Sequence, residues 1–296
     1  MQRIGFIGLG TMGAPMALNL LQHGYALTVW AGSRAASRLA AAGAQTAPTP
    51  MAIAAASDCV ITVLPEPAHV EAVATGSDGI AAGIRPDAVY VDMSTIDPAT
   101  TRRVGAAVAA RGAHMVDCPV GKTADHAAKG TLTVMAGGPV EVVARVRPVL
   151  SAMGTDFFHC GPLGAGVTVK LINNLLAASI HAANVEALVA GVAAGLEPEL
   201  MLRVFRTTMA WNASLETGMP RRGLVGNFEP GFMLKLGRKD AGLAVALNRD
   251  LGLRNPVGEA TLATLTEALA SGYGDRDAAA ILLLREGAAG VEVRLK

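Results

Sequence analysis

The sequence predicts an α/β domain followed by an all-α domain. From residue 1 to about residue 160, short β-rich runs alternate with Ala- and Leu-rich stretches separated by Gly or Pro, as in a parallel α/β sheet. After Gly161 the β-rich runs disappear, and residues 167–193 can form one long helix. We therefore predict an α/β domain over residues 1–162 and a helical domain over residues 163–296, with the change at the Gly-Pro-Leu-Gly-Ala-Gly turn.

Six short segments are the candidate strands of the first domain. Most are uniformly apolar, which is typical of strands that are buried on both faces. They are Ile4–Ile7, Leu27–Trp30, Cys59–Val63, Val89–Asp92, His114–Val116 and Thr131–Ala136. Helices fit between them: one begins near Met12 and ends at Gly24, and another begins at Pro98 after the capping residue Asp97.

Composition narrows the classes of function. The chain has 296 residues, 25 Lys and Arg against 24 Asp and Glu, and a charged fraction of 17% without a basic stripe. We therefore expect neither a nucleic acid nor a membrane as a partner. The three cysteines, Cys59, Cys118 and Cys160, have no CxxC spacing, so the sequence indicates a reducing cytoplasm and no metal site.

A glycine-rich turn follows the first strand. Gly8, Gly10 and Gly13 form a GxGxxG pattern between a strand and a helix, with Thr11 and Met12 inside it. The first glycine allows a tight turn, the second lets the backbone approach a pyrophosphate, and the third lets the helix pack on the strand. The pattern predicts a dinucleotide site. The alternative is a glycine-rich loop that holds no ligand.

The end of the second strand indicates which dinucleotide binds. NAD enzymes place Asp or Glu there against the ribose 2′-hydroxyl, whereas this chain has Ser33 and Arg34 and no acid. A hydroxyl and a guanidinium suit a 2′-phosphate, so NADP is favoured over NAD. Arg34 could equally be a solvated residue at the start of the next helix.

A second group of donors follows the strand at residues 114–116. Gly121, Lys122 and Thr123 lie in a loop that would fall at the carboxyl end of the sheet, where open α/β sheets bind ligands. Such a loop suits an anion, although Lys122 could also be an ordinary surface lysine.

The predicted long helix carries a further candidate pair. Lys170 and Asn174 are four residues apart and share a face, so a lysine that exchanges a proton with a substrate oxygen could work beside an amide that orients the substrate. The alternative is a polar helix edge near water. His181, on the same face, and Cys118 are interpreted as packing residues.

Taken together, these segments resemble the β-hydroxyacid dehydrogenase family, which includes 3-hydroxyisobutyrate dehydrogenase and tartronate semialdehyde reductase. The similarity rests on four motifs in order, with Lys239-Asp240 similar to a later Lys-Asp pair. The motifs are GFIGLGTMGAPMALNL at 5–20, DMST at 92–95, DCPVGKTADHAAKGTLTVMAGG at 117–138 and GAGVTVKLINN at 164–174.

The resemblance implies a Rossmann domain, a helical domain, an active site between them, and dimers or tetramers. It implies that Lys170 is the catalytic lysine and that Asn173 and Asn174 bind the substrate. The residues that it places at the cofactor, beyond the glycine turn, are Leu64, Pro65, Thr95 and Lys239. The family's loop normally reads Ser-Gly-Gly where this chain has Gly121-Lys122-Thr123.

That loop sets the predicted substrate, a small anionic aldehyde that is interconverted with its hydroxy acid. A loop of glycine, a basic residue and threonine is similar to the loop in the branch of the family that reduces 3-sulfolactaldehyde to 2,3-dihydroxypropane-1-sulfonate. That branch has Arg at position 122 and Ser at position 177. The rivals are succinic semialdehyde, tartronate semialdehyde and 3-hydroxyisobutyrate. Two other functions are compatible with this scaffold. One is an imine reductase, against which Lys170 argues, and the other is a nucleotide-binding reader without catalysis.

Overall fold

A computed structural model describes residues 1–295 of the chain. These residues form two units, Met1–Leu171 and a second unit that begins at Ile172. The division falls within one continuous helix, Ala165–Ala193. The predicted domain boundary at 162/163 lies just before that helix and stays a prediction.

The first unit contains a nine-stranded sheet. Its strands are β1 (Arg3–Ile7), β2 (Ala26–Trp30), β3 (Gln45–Ala47), β4 (Cys59–Thr62), β5 (Val89–Asp92), β6 (His114–Asp117), β7 (Val120–Gly121), β8 (Leu132–Gly137) and β9 (Gly154–Gly161). The spatial order is β3-β2-β1-β4-β5-β6-β8-β7, and β9 pairs with β8. The order reverses between β1 and β4, which makes the sheet doubly wound.

The sheet is parallel from β3 to β6, as predicted, and mixed beyond it. Strand β8 is antiparallel to both β6 and β7 and parallel to β9. The six predicted strands are all present within one or two residues of their expected ends. The three that were missed, β3, β7 and β9, lack the uniformly apolar run that identified the others: two are very short, and β9 is half exposed.

Helices cover both faces of the sheet. They are α1 (Gly13–Gln22), α2 (Ala36–Ala41), α3 (Pro50–Ala56), α4 (Pro67–Thr75), α5 (Ile80–Gly83), α6 (Pro98–Ala109), α7 (Ala124–Ala128) and α8 (Val140–Leu150). Helix α9 (Ala165–Ala193) begins in this unit and continues into the second. The apolar strands supply two cores because successive side chains point to opposite faces. Ile4 and Phe6 belong to one core, and Ile7 belongs to the other.

The predicted start of α6 and the predicted end of α1 are confirmed. Asp97 caps α6, since its Oδ1 accepts the Thr100 amide at 2.7 Å, and Pro98 follows in the first turn. Gly24, just beyond α1, has a φ of +83°, which L side chains rarely adopt.

The second unit is helical, as the sequence predicts. After α9 it contains α10 (Pro198–Arg206), α11 (Met219–Arg221), α12 (Leu234–Asp250), α13 (Pro256–Ala268) and α14 (Ile281–Ala289). Short π and 3-10 turns join them at Ser214–Gly218, Gly223–Val225, Leu269–Tyr273 and Ala278–Ala280. The second unit's residues up to 295 contain no strand, only an isolated bridge between Met233 and Asp277.

Helix α9 is long and apolar enough to cross a membrane, judged by length and composition alone. Core helices of water-soluble proteins can satisfy the same test. Polar side chains recur along this helix, including Lys170, Asn174, Asn184 and Glu186, and such groups are costly in hydrocarbon. These polar side chains weigh against α9 as a membrane span.

Candidate active site

Four neighbouring strands of the first unit end together. Ile7, Thr62, Asp92 and Asp117 lie in register on β1, β4, β5 and β6, each at the carboxyl end of its strand. The segments that follow these strands therefore emerge along one edge of the sheet. This edge includes the reversal of strand order between β1 and β4, the usual place for a ligand in an open α/β sheet.

The glycine-rich turn has the shape that a dinucleotide requires. Gly8 has a φ of +99°, and a methyl group on it would overlap the Val63 carbonyl oxygen. A methyl group on Gly13 would overlap the Gly8 carbonyl oxygen, so only glycine lets α1 begin this close to β1. Gly10 has no atom within 4 Å of the position that a Cβ would take. The open side at Gly10 can receive a pyrophosphate beside the start of α1.

A buried carboxylate supports the next segment of this edge. Ser94 Oγ donates to Asp92 Oδ1 at 2.6 Å and accepts the backbone amide of Leu64 at 2.9 Å. Thr62 Oγ1 donates to the same Asp92 oxygen at 2.7 Å. Asp92 thus fixes Ser94, and Ser94 fixes the turn of Leu64 and Pro65, two of the predicted cofactor residues.

Asp92 is a poorly solvated acid. Its side chain has no exposed surface, and its Oδ2 has no hydrogen-bond partner. Burial raises the pKa of Asp92 to about 6, although the hydrogen bonds from Ser94 and Thr62 favour the charged form. The carboxyl group therefore titrates close to neutral pH.

The remaining predicted cofactor residues of the first unit lie at strand or helix ends. Ser33 and Arg34 follow β2, Ser33 half-buried and Arg34 exposed. Thr95 follows β5 and is half-buried, while Thr11 and Met12 precede α1 directly. The structure therefore brings the glycine turn, the Leu64-Pro65 turn and Thr95 to the same edge of the sheet.

The predicted anion loop is held by its own side chains. Lys122 has a φ of +76°, and its Nζ donates to Thr131 O at 2.8 Å and to Asp156 Oδ2 at 2.7 Å. Thr123 Oγ1 lies 2.9 Å from His126 Nδ1. Both side chains expected to donate to a substrate thus have partners within the protein, while Gly121 is buried in β7.

Lys170 lies in the second turn of α9 and is half-buried. The start of this helix is tied to the sheet edge, because Asp117 Oδ1 accepts the amide of Gly164 and Asp117 Oδ2 accepts the amide of Val167, both at 2.7 Å. Lys170 therefore lies about one helical turn after Val167, whose amide is bonded to Asp117 at the end of β6.

In the second unit, four polar side chains form a connected chain. Asn173 Nδ2 donates to Asn174 Oδ1 at 3.1 Å, and Asn174 Nδ2 donates to Asp240 Oδ2 at 2.7 Å. Asp240 Oδ1 lies 2.9 Å from Lys239 Nζ. Asp240 is 4% exposed, so a buried carboxylate on α12 orients the amide of Asn174 and balances the charge of Lys239.

The two residues assigned to packing have inert side chains. Burial lowers the pKa of His181 to about 4, and its Nδ1 lies 3.1 Å from Ser214 Oγ. Burial also raises the pKa of the Cys118 thiol well above its usual value. Neither group is charged at neutral pH, and among residues 1–295 no three His, Cys, Asp or Glu side chains converge as metal ligands.

Sequence reasoning missed the carboxylates that support the site. Asp92, Asp117 and Asp240 each lie inside one of the family motifs, but their residue type and spacing alone predict no role for them. The signal for Asp92 and Asp117 was an acid that ends a strand which is otherwise uniformly apolar. Such an acid must find donors inside the protein.

Family comparisons agree with this geometry. Residues 3–161 match the family model of the NAD binding domain of 6-phosphogluconate dehydrogenase, and residues 164–284 match the model described as the NAD-binding domain of NADP-dependent 3-hydroxyisobutyrate dehydrogenase. The chain belongs to the β-hydroxyacid dehydrogenase family. This dehydrogenase is thus an NAD(P)-dependent oxidoreductase, as the sequence predicts.

Individual relatives cover the dehydrogenase almost end to end. It is 38% identical to 3-sulfolactaldehyde reductase of Escherichia coli K12, over all of both chains. It is 39% identical to NAD-dependent L-serine dehydrogenase of Pseudomonas aeruginosa, over 94% of this chain and 95% of that one. Among solved structures, 3-hydroxyisobutyrate dehydrogenase of Mycobacterium tuberculosis with L-serine has a TM-score of 0.89 at 32% identity, covering 96% and 99% of the two chains. These relatives of the dehydrogenase are all named as dehydrogenases or reductases, and the substrates in their names differ.

Proposed function

We propose that this dehydrogenase interconverts a short anionic aldehyde and its hydroxy acid, with 3-sulfolactaldehyde as the leading substrate. The observation that carries this proposal is the loop Gly121-Lys122-Thr123, which follows β6 and offers a lysine and a hydroxyl to an anion. A sequence identity of 38% over the full length of a 3-sulfolactaldehyde reductase supports it. A cation and a hydroxyl suit a sulfonate as well as a carboxylate.

Proton transfer is assigned to Lys170. The bound nicotinamide supplies or accepts the hydride. As an aldehyde gains that hydride at its carbonyl carbon, its oxygen becomes an alkoxide, and Lys170 Nζ donates one proton to it. In the oxidative direction Lys170 accepts the proton from the alcohol. General acid catalysis of this kind contributes about 10² to 10⁴ in rate.

Orientation is assigned to the other candidate substrate residues. Asn174 would fix the reacting end of the substrate, because Asp240 already holds its amide in one orientation, and Asn173 would assist it. Gly121, Lys122 and Thr123 would hold the anionic end. Lys239 is assigned to the cofactor, with Asp240 as its counter-charge.

For the cofactor we propose NADP in preference to NAD. Residues 31–35 after β2 contain no acid to accept from a ribose 2′-hydroxyl, and Arg34 is exposed and can approach a 2′-phosphate. Ser33 adds a hydroxyl beside it.

The test is a set of four initial rates: 3-sulfolactaldehyde and succinic semialdehyde, each with NADH and NADPH. We expect a higher kcat/KM for the sulfonate and for NADPH. A preference for succinic semialdehyde would move the substrate to the carboxylated aldehydes, with tartronate semialdehyde next in line. Absence of turnover with both, and with 3-hydroxyisobutyrate in the reverse direction, would refute the anionic-aldehyde assignment.

We also propose that the chain is a cytoplasmic homodimer or homotetramer. The second unit exposes large apolar side chains on α9 and α10, including Ile172, Leu176, Leu200 and Val204, and a second copy could cover them. The lack of paired cysteines among the described residues agrees with a reducing compartment. Light scattering after size exclusion decides the assembly, and a monomer mass at micromolar concentration would refute it.

A further inference from the structure

Asp117 forms an unusual cap on helix α9. The first amides of an α-helix have no carbonyl partner within the helix, and a nearby side chain normally accepts them. Here the acceptor lies 47 residues before Gly164 and 50 before Val167, at the end of β6, and uses one oxygen for each amide at 2.7 Å. The carboxylate has no exposed surface. The start of α9 is therefore bonded directly to the sheet.

Two glycines lie close to this carboxylate. A Cβ on Gly137, its partner across the strand pair β6 and β8, would overlap Asp117 Oδ1. A Cβ on Gly166 would lie 2.8 Å from Asp117 Oδ2. The absence of a side chain at both positions thus allows the carboxylate to fit between β8 and the first turn of α9.

We infer that Asp117 is a positioning residue, which sets the place of Lys170 relative to the edge of the sheet. Lys170 follows Val167 by three residues, a rotation of about 300° and a rise of about 4.5 Å along the helix. The bond from Val167 to Asp117 therefore fixes the turn that carries the lysine. The inference rests on the proposed role of Lys170 in proton transfer.

A misplaced lysine would be costly even in a folded protein. A shift of about 1 Å in a reacting group can reduce the rate about a hundredfold. In Asp117→Asn the side chain keeps its shape but has one acceptor oxygen, and its NH₂ faces a backbone N–H. One of the two amides then loses its partner and the first turn of α9 loosens.

The matched control is Asp58→Asn. Asp58 Oδ2 also accepts two backbone amides, those of Gln2 and Arg3 at 3.2 Å, and Asp58 Oδ1 is paired with the guanidinium groups of Arg3 and Arg85. It lies before β4, at the opposite end of the strand from the predicted site. Both substitutions should lower the melting temperature, but only Asp117→Asn should disturb α9.

The first readout is kinetic, on the full-length enzyme well below its melting temperature. Asp117→Asn should lower kcat at least tenfold and leave the KM for NADPH within about twofold, whereas Asp58→Asn should leave both unchanged. In a Lys170→Ala background, Asp117→Asn should cost no further turnover, because a residue that acts through Lys170 has nothing left to position. Equal kcat for the two Asn variants, or a full additional loss in the double variant, would overturn the inference.

The second readout separates this inference from the proposed function. Hydrogen exchange of the peptide that covers residues 164–175 should become faster in Asp117→Asn and stay unchanged in Asp58→Asn. This result does not depend on the role of Lys170 in proton transfer. If Lys170→Ala retains turnover, the proposed function is wrong about the lysine, and faster exchange still shows that Asp117 anchors the helix. Unchanged exchange in Asp117→Asn would refute the anchor itself.

Discussion

Removing the charge of Asp156 should strengthen binding of an anionic substrate. Lys122 Nζ lies 2.7 Å from Asp156 Oδ2, and the ion pair lowers the pKa of Asp156, as expected for a carboxylate that accepts from an ammonium. A substrate anion at the loop must therefore compete with Asp156 for Lys122. The substitution Asp156→Asn keeps the shape of the side chain and removes the competing charge.

The size of the effect follows from the exposure of the pair. The Lys122 and Asp156 side chains are 33% and 49% exposed, so their attraction is screened by water. Exposed ion pairs are weak, so the loss of this competitor should change the affinity for the anion by a factor of only about 1.4 to 5 at 25 °C. We expect the KM for the anionic aldehyde to fall by that factor, with kcat unchanged.

The assay compares initial rates with the anionic aldehyde and with an uncharged aldehyde of similar size. The uncharged aldehyde should show no change, and the gain for the anion should shrink at high salt. Glu71→Gln is the matched control, since it removes the same charge from another exposed ion pair, with Arg103. A KM that stays constant or rises for the anion, or the same gain with Glu71→Gln, would refute the competition.

Three further outcomes are expected. Lys170→Ala should lower kcat by about 10² to 10⁴ and keep the affinity for NADPH in a fluorescence titration; turnover within a few-fold of the wild type would contradict its role. Arg34→Ala should weaken NADPH by about tenfold and leave NADH unchanged, and equal losses for both would contradict a 2′-phosphate contact. The pKa of Asp92 is raised by burial from 3.8 to about 6, so its contribution to stability is present below about pH 4 and lost as pH rises through about 6. That loss is up to about 3 kcal/mol, and Asp92→Asn should remove it from urea titrations, whereas identical pH profiles would contradict it.

The sequence was sufficient for the parts of the fold that local patterns specify. Uniformly apolar strands identified β1 and β4 to β6, and the glycine spacing predicted the turn where Gly8, Gly10 and Gly13 each meet the expected constraint. The mixed edge escaped prediction because the pairing of β8 with β6 and β7 depends on contacts distant in sequence. A strand such as β9, half exposed and with glycine at both ends, has no period that distinguishes it from a loop.

In the candidate site, too, some residues are predictable from local sequence patterns and others are not. Residue types and spacing pointed to Lys170, Asn174 and the anion loop, but not to their supports. The bonds of Lys122 to Asp156 and of Asn174 to Asp240 join residues 34 and 66 positions apart, so no local pattern records them. The φ of +76° at Lys122 agrees with the usual Ser-Gly-Gly loop of the family, which has glycine at this position. Glycine adopts that conformation without strain.

The anchoring of α9 has a consequence for how the length of the chain can vary. One inserted or deleted residue between Val167 and Lys170 would rotate everything that follows by about 100° and shift it by about 1.5 Å along the helix axis. The lysine would then leave the face that the bond to Asp117 defines. We expect insertions to be tolerated in the turns that join the helices of the second unit, and the number of residues from Gly164 to Asn174 to be constant among relatives that keep the lysine.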